Sequence, residues 1–172
     1  MLIPHLLGDA MTLSTSQLVV LKAAILAEID PTFVADRTAG ATGAMAAFYN
    51  DAAVPSFTVW KSNVSIGAVG DNIVGTELAG LSSLNNTRLQ SIIGLSPAGV
   101  NPSLPDRRAF FDDVFSTGGT ATRAKLLILW KRLAKRGEKL YATGTGSDAI
   151  PATLVFEGDI TNTDVVSALA LP

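Results

Sequence analysis

The chain of 172 residues contains no cysteine and a single histidine, His5. Without cysteine it cannot form a disulfide, a thiolate nucleophile or a cysteine-ligated metal site. The single histidine lies near the start of the chain, in a segment that we expect to be flexible. This position argues against a Ser-His-Asp triad and also against a histidine-ligated zinc site. These absences exclude most general-base and zinc-dependent chemistry. The sequence therefore predicts a protein that is not an enzyme and that binds no cofactor or metal.

Charged residues are also scarce. They make up 16% of the chain while 48% of its residues are hydrophobic, against a charged share of about 25% in an average soluble domain. A monomer with so few charges exposes apolar surface, and large apolar patches seldom stay uncovered. We therefore expect a homo-oligomer or a larger assembly. The net charge of −2 gives no general attraction to nucleic acid or to an anionic membrane.

No hydrophobic run is long enough for a membrane span. The two longest, residues 18–29 and 126–133, contain charged residues and fall short of the ~20 apolar residues that a bilayer requires. The first ten residues are apolar but lack the basic start of a signal peptide. We expect no membrane contact, a flexible lead-in over residues 1–11, and a single mainly helical domain over residues 12–172.

Apolar residues at intervals of three and four predict helices along most of this domain. Hydroxyl residues before Leu18 and the Asp30-Pro31 pair bracket a helix over residues 14–29. Further helices are predicted over residues 43–50, 65–79, 83–93, 106–115, 120–141 and 162–169, the last opening with a capping box at Thr161. Extended segments are expected at residues 56–64 and 154–158.

The resulting fold class is mainly α. We expect a helical bundle with long loops, extended arms and at most a short β hairpin. The polar, glycine-rich segment that follows the predicted helix 120–141 and the residues beyond it are expected to form a C-terminal arm over residues 142–172.

Two local patterns resemble ligand sites but lack the required geometry. Gly144 and Gly146 follow a predicted helix, whereas a phosphate-binding loop precedes a helix and ends in Gly-Lys-Ser/Thr. The adjacent pair Asp112-Asp113 would point about 100° apart on a helix, so the two carboxylates would not converge on one Mg²⁺ ion. We interpret the glycine segment as a hinge or contact loop and the aspartates as a solvated acidic face.

The most distinctive local feature is a basic segment over residues 123–139. It contains seven of the 13 Lys and Arg residues and one acid, so its net charge is +6 and that of the remaining chain is −8. Its basic residues are Arg123, Lys125, Lys131, Arg132, Lys135, Arg136 and Lys139.

A solvated helix face and a contact with DNA are both compatible with this segment. The chain also supplies complementary acidic segments over residues 106–113 and 157–164. Head-to-tail pairing of such surfaces is what closes a ring of identical subunits. We therefore predict that the seven basic residues, together with Gly144 and Gly146, form a subunit interface.

Several phrases of the sequence resemble those of small virion proteins encoded by tailed bacteriophages. They are Leu13-Ser-Thr-Ser-Gln-Leu, Pro55-Ser-Phe-Thr-Val-Trp-Lys-Ser, Lys131-Arg-Leu-Ala-Lys-Arg-Gly-Glu-Lys-Leu-Tyr-Ala-Thr-Gly-Thr-Gly-Ser and Pro151-Ala-Thr-Leu-Val-Phe-Glu-Gly. The resemblance covers residues 11–166 and contains no catalytic signature. It transfers no functional residue by position.

The resemblance implies a structural subunit of the virion, assembled in the host cytoplasm. Its expected place is the head–tail connector, as a head-completion or adaptor ring of about twelve copies. Such a ring joins the portal to tail or neck proteins and touches packaged DNA transiently; no small-molecule substrate is expected. The alternatives are a capsid decoration protein, a tail or baseplate component, and a DNA-binding protein that uses residues 123–139. Copy number and the salt dependence of DNA binding distinguish them.

Overall fold

The computed structural model describes residues 13–172, so the predicted lead-in and His5 lie outside the described residues. The prediction of a mainly α fold is confirmed. The described helices are α1 (Thr15–Ala27), α2 (Pro31–Thr38), α3 (Thr42–Asn50), α4 (Ile66–Asp71), α5 (Gly75–Ala79), α6 (Ser83–Gly94), α7 (Pro105–Val114), α8 (Thr120–Leu129), α9 (Arg136–Leu140) and α10 (Asn162–Ala170). The strands are β1 (Thr58–Trp60), β2 (Lys131–Leu133), β3 (Ala142–Thr143) and β4 (Thr153–Leu154).

The four strands form two small two-stranded sheets. Strand β1 pairs antiparallel with β2, with Val59 opposite Arg132. On its other edge β1 makes a parallel bridge between Val59 and Ala152. Strand β3 pairs with β4. Five helices lie between β1 and β2 in the chain. Their sheet therefore joins segments that are distant in sequence and is not a hairpin.

The chain folds into two compact units. Of the described residues, unit 1 contains those up to Ser56, Ala134–Ala142 and Val155–Pro172, and unit 2 contains Phe57–Leu133 and Thr143–Leu154. The backbone therefore leaves unit 1 twice and returns to it twice. Each unit is built from segments that are far apart in sequence.

Unit 1 has a core in which α10 packs against α1 and α3. Leu21, Ile25 and Met45 are completely buried there. The predicted capping box opens α10, with the Asp164 carboxylate accepting the backbone N–H of Thr161. The other Asp164 oxygen accepts the backbone N–H of Leu13 at 3.2 Å. One buried carboxylate thus fixes the start of α10 and the residue that leads into α1.

The predicted C-terminal arm over residues 142–172 is wrong in its second half, where α10 packs into the core of unit 1. Val165 and Ala168 of α10 have no exposed surface, because the apolar face of this helix is buried against α1 and α3. The Lys22 ammonium group donates to the backbone carbonyls of Leu171 and Pro172. The final residues are therefore part of unit 1.

Unit 2 has its own core around α7 and α8. Phe111 and Leu126 are completely buried, and the Phe111 ring meets the Trp130 ring edge-on with centroids 5.4 Å apart. The start of α8 is capped from another helix, since the Glu77 carboxylate of α5 accepts the backbone N–H of Thr122 at 2.8 Å. These contacts position the residues of the basic segment that belong to unit 2.

The helix predicted over residues 120–141 is divided into α8, β2 and α9. No glycine or proline lies at the break, which falls at Trp130. The helix ends there because the next three residues pair with β1, beginning with the Lys61 N–H, which donates to the Trp130 carbonyl at 2.8 Å. The helix predicted over residues 65–79 is likewise divided, into α4 and α5, and the Val74 N–H between them donates to the Thr122 hydroxyl.

Candidate functional site

The seven basic residues predicted for an interface do not lie on one helix. They divide between α8 (Arg123, Lys125), β2 (Lys131, Arg132) and α9 with its capping residue (Lys135, Arg136, Lys139). The first four belong to unit 2 and the last three to unit 1. The predicted basic helix 123–139 is therefore wrong, because its basic residues belong to α8, β2 and α9 and are divided between the two units.

Four of these side chains form ion pairs with nearby aspartates. The pairs are Arg123–Asp112 at 3.0 Å, Lys131–Asp148 at 2.7 Å, Lys135–Asp159 at 2.5 Å and Arg136–Asp51 at 3.7 Å. The aspartates are more than half exposed, and exposed pairs contribute about 0–1 kcal/mol each. An acidic partner can compete for these cations at little cost, whereas reversing their charge would set two acids against each other within the chain.

The two predicted interface glycines have different surroundings. Gly144 is exposed, with a φ of +122°. Gly146 is buried, and its carbonyl accepts the Thr58 N–H at 2.7 Å. A Cβ at position 146 would lie 2.1 Å from the Phe57 ring, so glycine is required there for packing. Gly146 is therefore a packing residue of unit 2, which corrects its predicted place on a contact surface.

Helix α1 carries an apolar stripe on its exposed side, which no prediction from the sequence included. We call this the α1 stripe; it consists of Val19, Val20, Ala23, Leu26 and Ala27. The three larger side chains are 55%, 41% and 57% exposed in chain order. At about 100° per residue the five positions span about 120° of the helix, and no charged residue lies among them.

The signal for this stripe is present in the sequence. From Leu18 to Ala27 the only polar residue is Lys22, so α1 has apolar residues on nearly every side. A helix that is hydrophobic all round is normally buried on all sides. One side of α1 packs in unit 1 through Leu21 and Ile25, and the other side, the α1 stripe, is exposed.

A groove of about 390 Å³ adjoins the α1 stripe, sharing Ala27 with it. Phe48 and Leu140 form part of its apolar wall, and Arg136 and Lys139 contribute its basic groups. The guanidinium of Arg136 lies 3.9 Å from the centre of the Phe48 ring. The groove therefore offers an apolar floor beside two basic residues of the predicted interface.

Tyr49 also lines this groove. Its side chain is only 3% exposed, and its hydroxyl makes no hydrogen bond within residues 13–172. Burial and the nearby Glu28 carboxylate raise the pKa of Tyr49, so the hydroxyl keeps its proton. A buried donor without an acceptor costs about 1–3 kcal/mol, and this hydroxyl is itself covered by the protein, so it is not part of the groove surface that a partner would touch.

A second cavity, of about 400 Å³, lies in unit 2 beside α7 and α8. Its walls include Trp60, Arg108, Asp112, Arg123, Leu127 and Trp130. Arg123 is the one member of the predicted interface in this cavity. The remaining lining residues were not predicted as a site, because they come together only when β1, α7 and α8 pack.

Residues 13–172 contain no group of three His, Asp or Glu side chains placed to hold a metal ion. Asp112 and Asp113 pair with different arginines, Arg123 and Arg88. Among the described helices none is long and apolar enough to cross a membrane.

The fold and these surfaces define a small, mainly α protein with two compact units. The chain matches no protein-family model, no curated protein and no solved structure. Its function is therefore inferred from its own residues.

Proposed function

We propose that this protein is a non-enzymatic structural subunit that assembles with copies of itself in the virion of a tailed bacteriophage. The observation that supports assembly is the α1 stripe, a helix face without charges that is exposed to water in the single chain. Large apolar surfaces of this kind are usually covered by a partner. The place in the particle, a connector ring that joins the portal to the tail, is supported by the resemblance of the sequence.

The α1 stripe alone is too small to hold two copies together. Burying Val19, Val20 and Leu26, each about half exposed, gives about 1 kcal/mol per side chain. Association costs about 4–15 kcal/mol in lost freedom. The adjoining groove, with Val54 73% exposed at its edge and Ile29 85% exposed just after α1, must add to the contact.

A complementary surface lies on unit 2 around β2. Ile128, Lys131, Arg132 and Leu133 line one shallow depression, and the two apolar side chains are 72% and 58% exposed. From residue 13 onward, unit 1 has five basic and eight acidic residues and a net charge of −3. Unit 2 has eight basic and six acidic residues and a net charge of +2. We place the apolar residues of this β2 surface of one copy against the charge-free α1 stripe of the next, a head-to-tail contact that can close a ring.

The test is the double substitution Val19→Lys with Leu26→Lys. It places two charges in the α1 stripe without touching a buried residue, so the monomer should keep its helical circular dichroism while oligomers disappear in size-exclusion chromatography with light scattering. Leu95→Lys, at a position that is 80% exposed in unit 2, is the matched control and should still assemble. A wild-type chain that remains monomeric at high concentration would refute self-assembly.

The place in the particle is tested by copy number in purified virions. A count of about a dozen supports a connector ring. A count of hundreds indicates a decoration or tail component, and absence from the particle contradicts a virion role. If the chain instead binds DNA with an affinity that falls steeply with salt, the DNA-binding alternative is favoured.

A further inference from the structure

The unit 2 cavity contains both tryptophans of the chain, Trp60 of β1 and Trp130 after α8. Trp130 is only 3% exposed, and its indole N–H makes no hydrogen bond within residues 13–172. Nearly all buried polar groups in folded proteins have a partner. Trp130 is thus a nearly buried lining residue of the cavity whose indole N–H lacks an acceptor among the described residues.

Arg108 is a second lining residue of this cavity with hydrogen-bond donors that the described residues leave unused. Its guanidinium stacks 4.0 Å from the centre of the Trp60 ring and donates to the Pro102 carbonyl. Burial lowers the pKa of Arg108, partly offset by the Asp112 carboxylate. Arg108 makes no ion pair with the described residues. A guanidinium has five N–H donors, so most of its donors remain for a ligand.

The charges in the cavity define the kind of anion that fits. Arg123 donates from Nε to Asp112 at 3.0 Å, so Arg108, Arg123 and Asp112 together carry a net charge of +1. A carboxylate has the matching single charge, and its two oxygens suit the planar fork of a guanidinium. A phosphate group, at about −1.5 to −2 near neutral pH, would leave an excess of negative charge.

The remaining wall is apolar. Trp60, Trp130 and Leu127 supply it, and Leu127 is 45% exposed at α8. A volume of about 400 Å³ lies in the range of small-molecule pockets, about 300–1,000 Å³. We propose that this cavity binds a carboxylate carried on an apolar stem, with the two arginines holding the carboxylate and the tryptophans holding the stem. The carboxylate can belong to a small acid or to an acidic side chain of a second copy.

Binding is measurable through the two tryptophans themselves. Because both line the cavity, their fluorescence responds to a ligand bound there. We expect a saturable change in tryptophan emission on titration with hexanoate and none with hexanamide, its uncharged counterpart. Arg108→Gln and Arg123→Gln should each weaken hexanoate binding about tenfold or more, whereas Arg107→Gln, outside the cavity, should leave it unchanged.

Equal responses to hexanoate and hexanamide would overturn the proposal, as would an equal loss of binding in the Arg107 and Arg108 variants. If Arg108→Gln lowers helical circular dichroism, Arg108→Lys, which keeps the charge but loses the fork, should bind hexanoate more weakly than wild type. Sedimentation in the presence of hexanoate distinguishes a free small acid from an acidic side chain of a second copy as the natural ligand. Oligomers that dissociate indicate that the natural carboxylate comes from another copy, and binding at constant mass indicates a free small acid.

Discussion

Glu77 links two helices of unit 2 through one carboxylate. Its oxygens accept the N–H groups of Ala121 and Thr122 at 3.0 and 2.8 Å, at a helix start where Gly119 has no side chain to serve as a cap. The Thr122 side chain is completely buried, and its hydroxyl accepts the Val74 N–H. The first turn of α8 is thus fixed by a residue 44 positions earlier, a relation that no local sequence pattern signals.

We expect Glu77→Gln to destabilise unit 2 at neutral pH and to matter less in acid. The hydrogen bond with the Thr122 side chain, joined by the backbone N–H groups, lowers the pKa of Glu77 below its ordinary value of 4.5. A lowered pKa stabilises the fold at pH values above 4.5, and this contribution is lost as the pH falls through the folded-state pKa. Urea unfolding at pH 7 and near pH 3 measures the difference between wild type and variant.

Asp71→Asn is the matched control for this experiment. Asp71 is an exposed carboxylate at the end of α4 whose side chain caps no helix in the described residues. The Asp71 variant should shift the urea midpoint little at either pH. A Glu77→Gln effect of equal size at both pH values would show that the carboxylate charge is not what stabilises α8.

At the scale of elements, we expect the stability of unit 1 to depend on α10, which packs against α1 and α3. Val165 is completely buried while its neighbour Val166 is 49% exposed. Val165→Asp would bury an unpaired charge and should cost more than about 4 kcal/mol. Val166→Asp should change the free energy of unfolding by less than about 0.5 kcal/mol.

Thermal unfolding followed by circular dichroism distinguishes the two aspartate variants. If both melt like the wild type, α10 contributes little to the core and the C-terminal residues behave as the arm that the sequence predicted. The comparison is a sharp one because the two positions are adjacent and receive the same substitution.

Several elements could be predicted from the sequence because local signals determine them. Helices α1, α3, α6, α7 and α10 form within one or two residues of their predicted bounds. Helix α2 is absent from the predicted elements, because the Asp30-Pro31 pair signals the end of α1. The pair also begins a helix: the Asp30 carboxylate accepts two N–H groups of α2, and proline suits the first helical position.

The break at Trp130 could not be predicted in the same way. The residues from Lys131 to Leu140 keep helical spacing of apolar and basic side chains, and only pairing with the distant strand β1 turns three of them into β2. This break also determines where the basic residues of the predicted interface lie. Charge pattern identified the basic residues, but their division between two units, the burial of Gly146 and the Arg108–Trp60 stack follow from tertiary packing.

At the scale of the whole molecule, the net charges of −3 and +2 on the two units are small. We therefore expect apolar contact through the α1 stripe, more than charge, to hold the assembly together. At about 0.5 M NaCl the screening length falls to about 4 Å, and the oligomer should persist in sedimentation. Dissociation at this salt concentration would instead show that the ion pairs of the basic groups dominate the contact.

Helices α1 and α10 lie side by side, close to the two ends of the described chain, and Lys22 holds the last two residues. A tether that pulls on residues 13 and 172 would therefore strain the α1–α10 contact before any residue of unit 2 carries load. In an optical trap the first extension step should correspond to the opening of unit 1. A force applied across both ends of the described chain is therefore expected to open unit 1 while unit 2 stays folded.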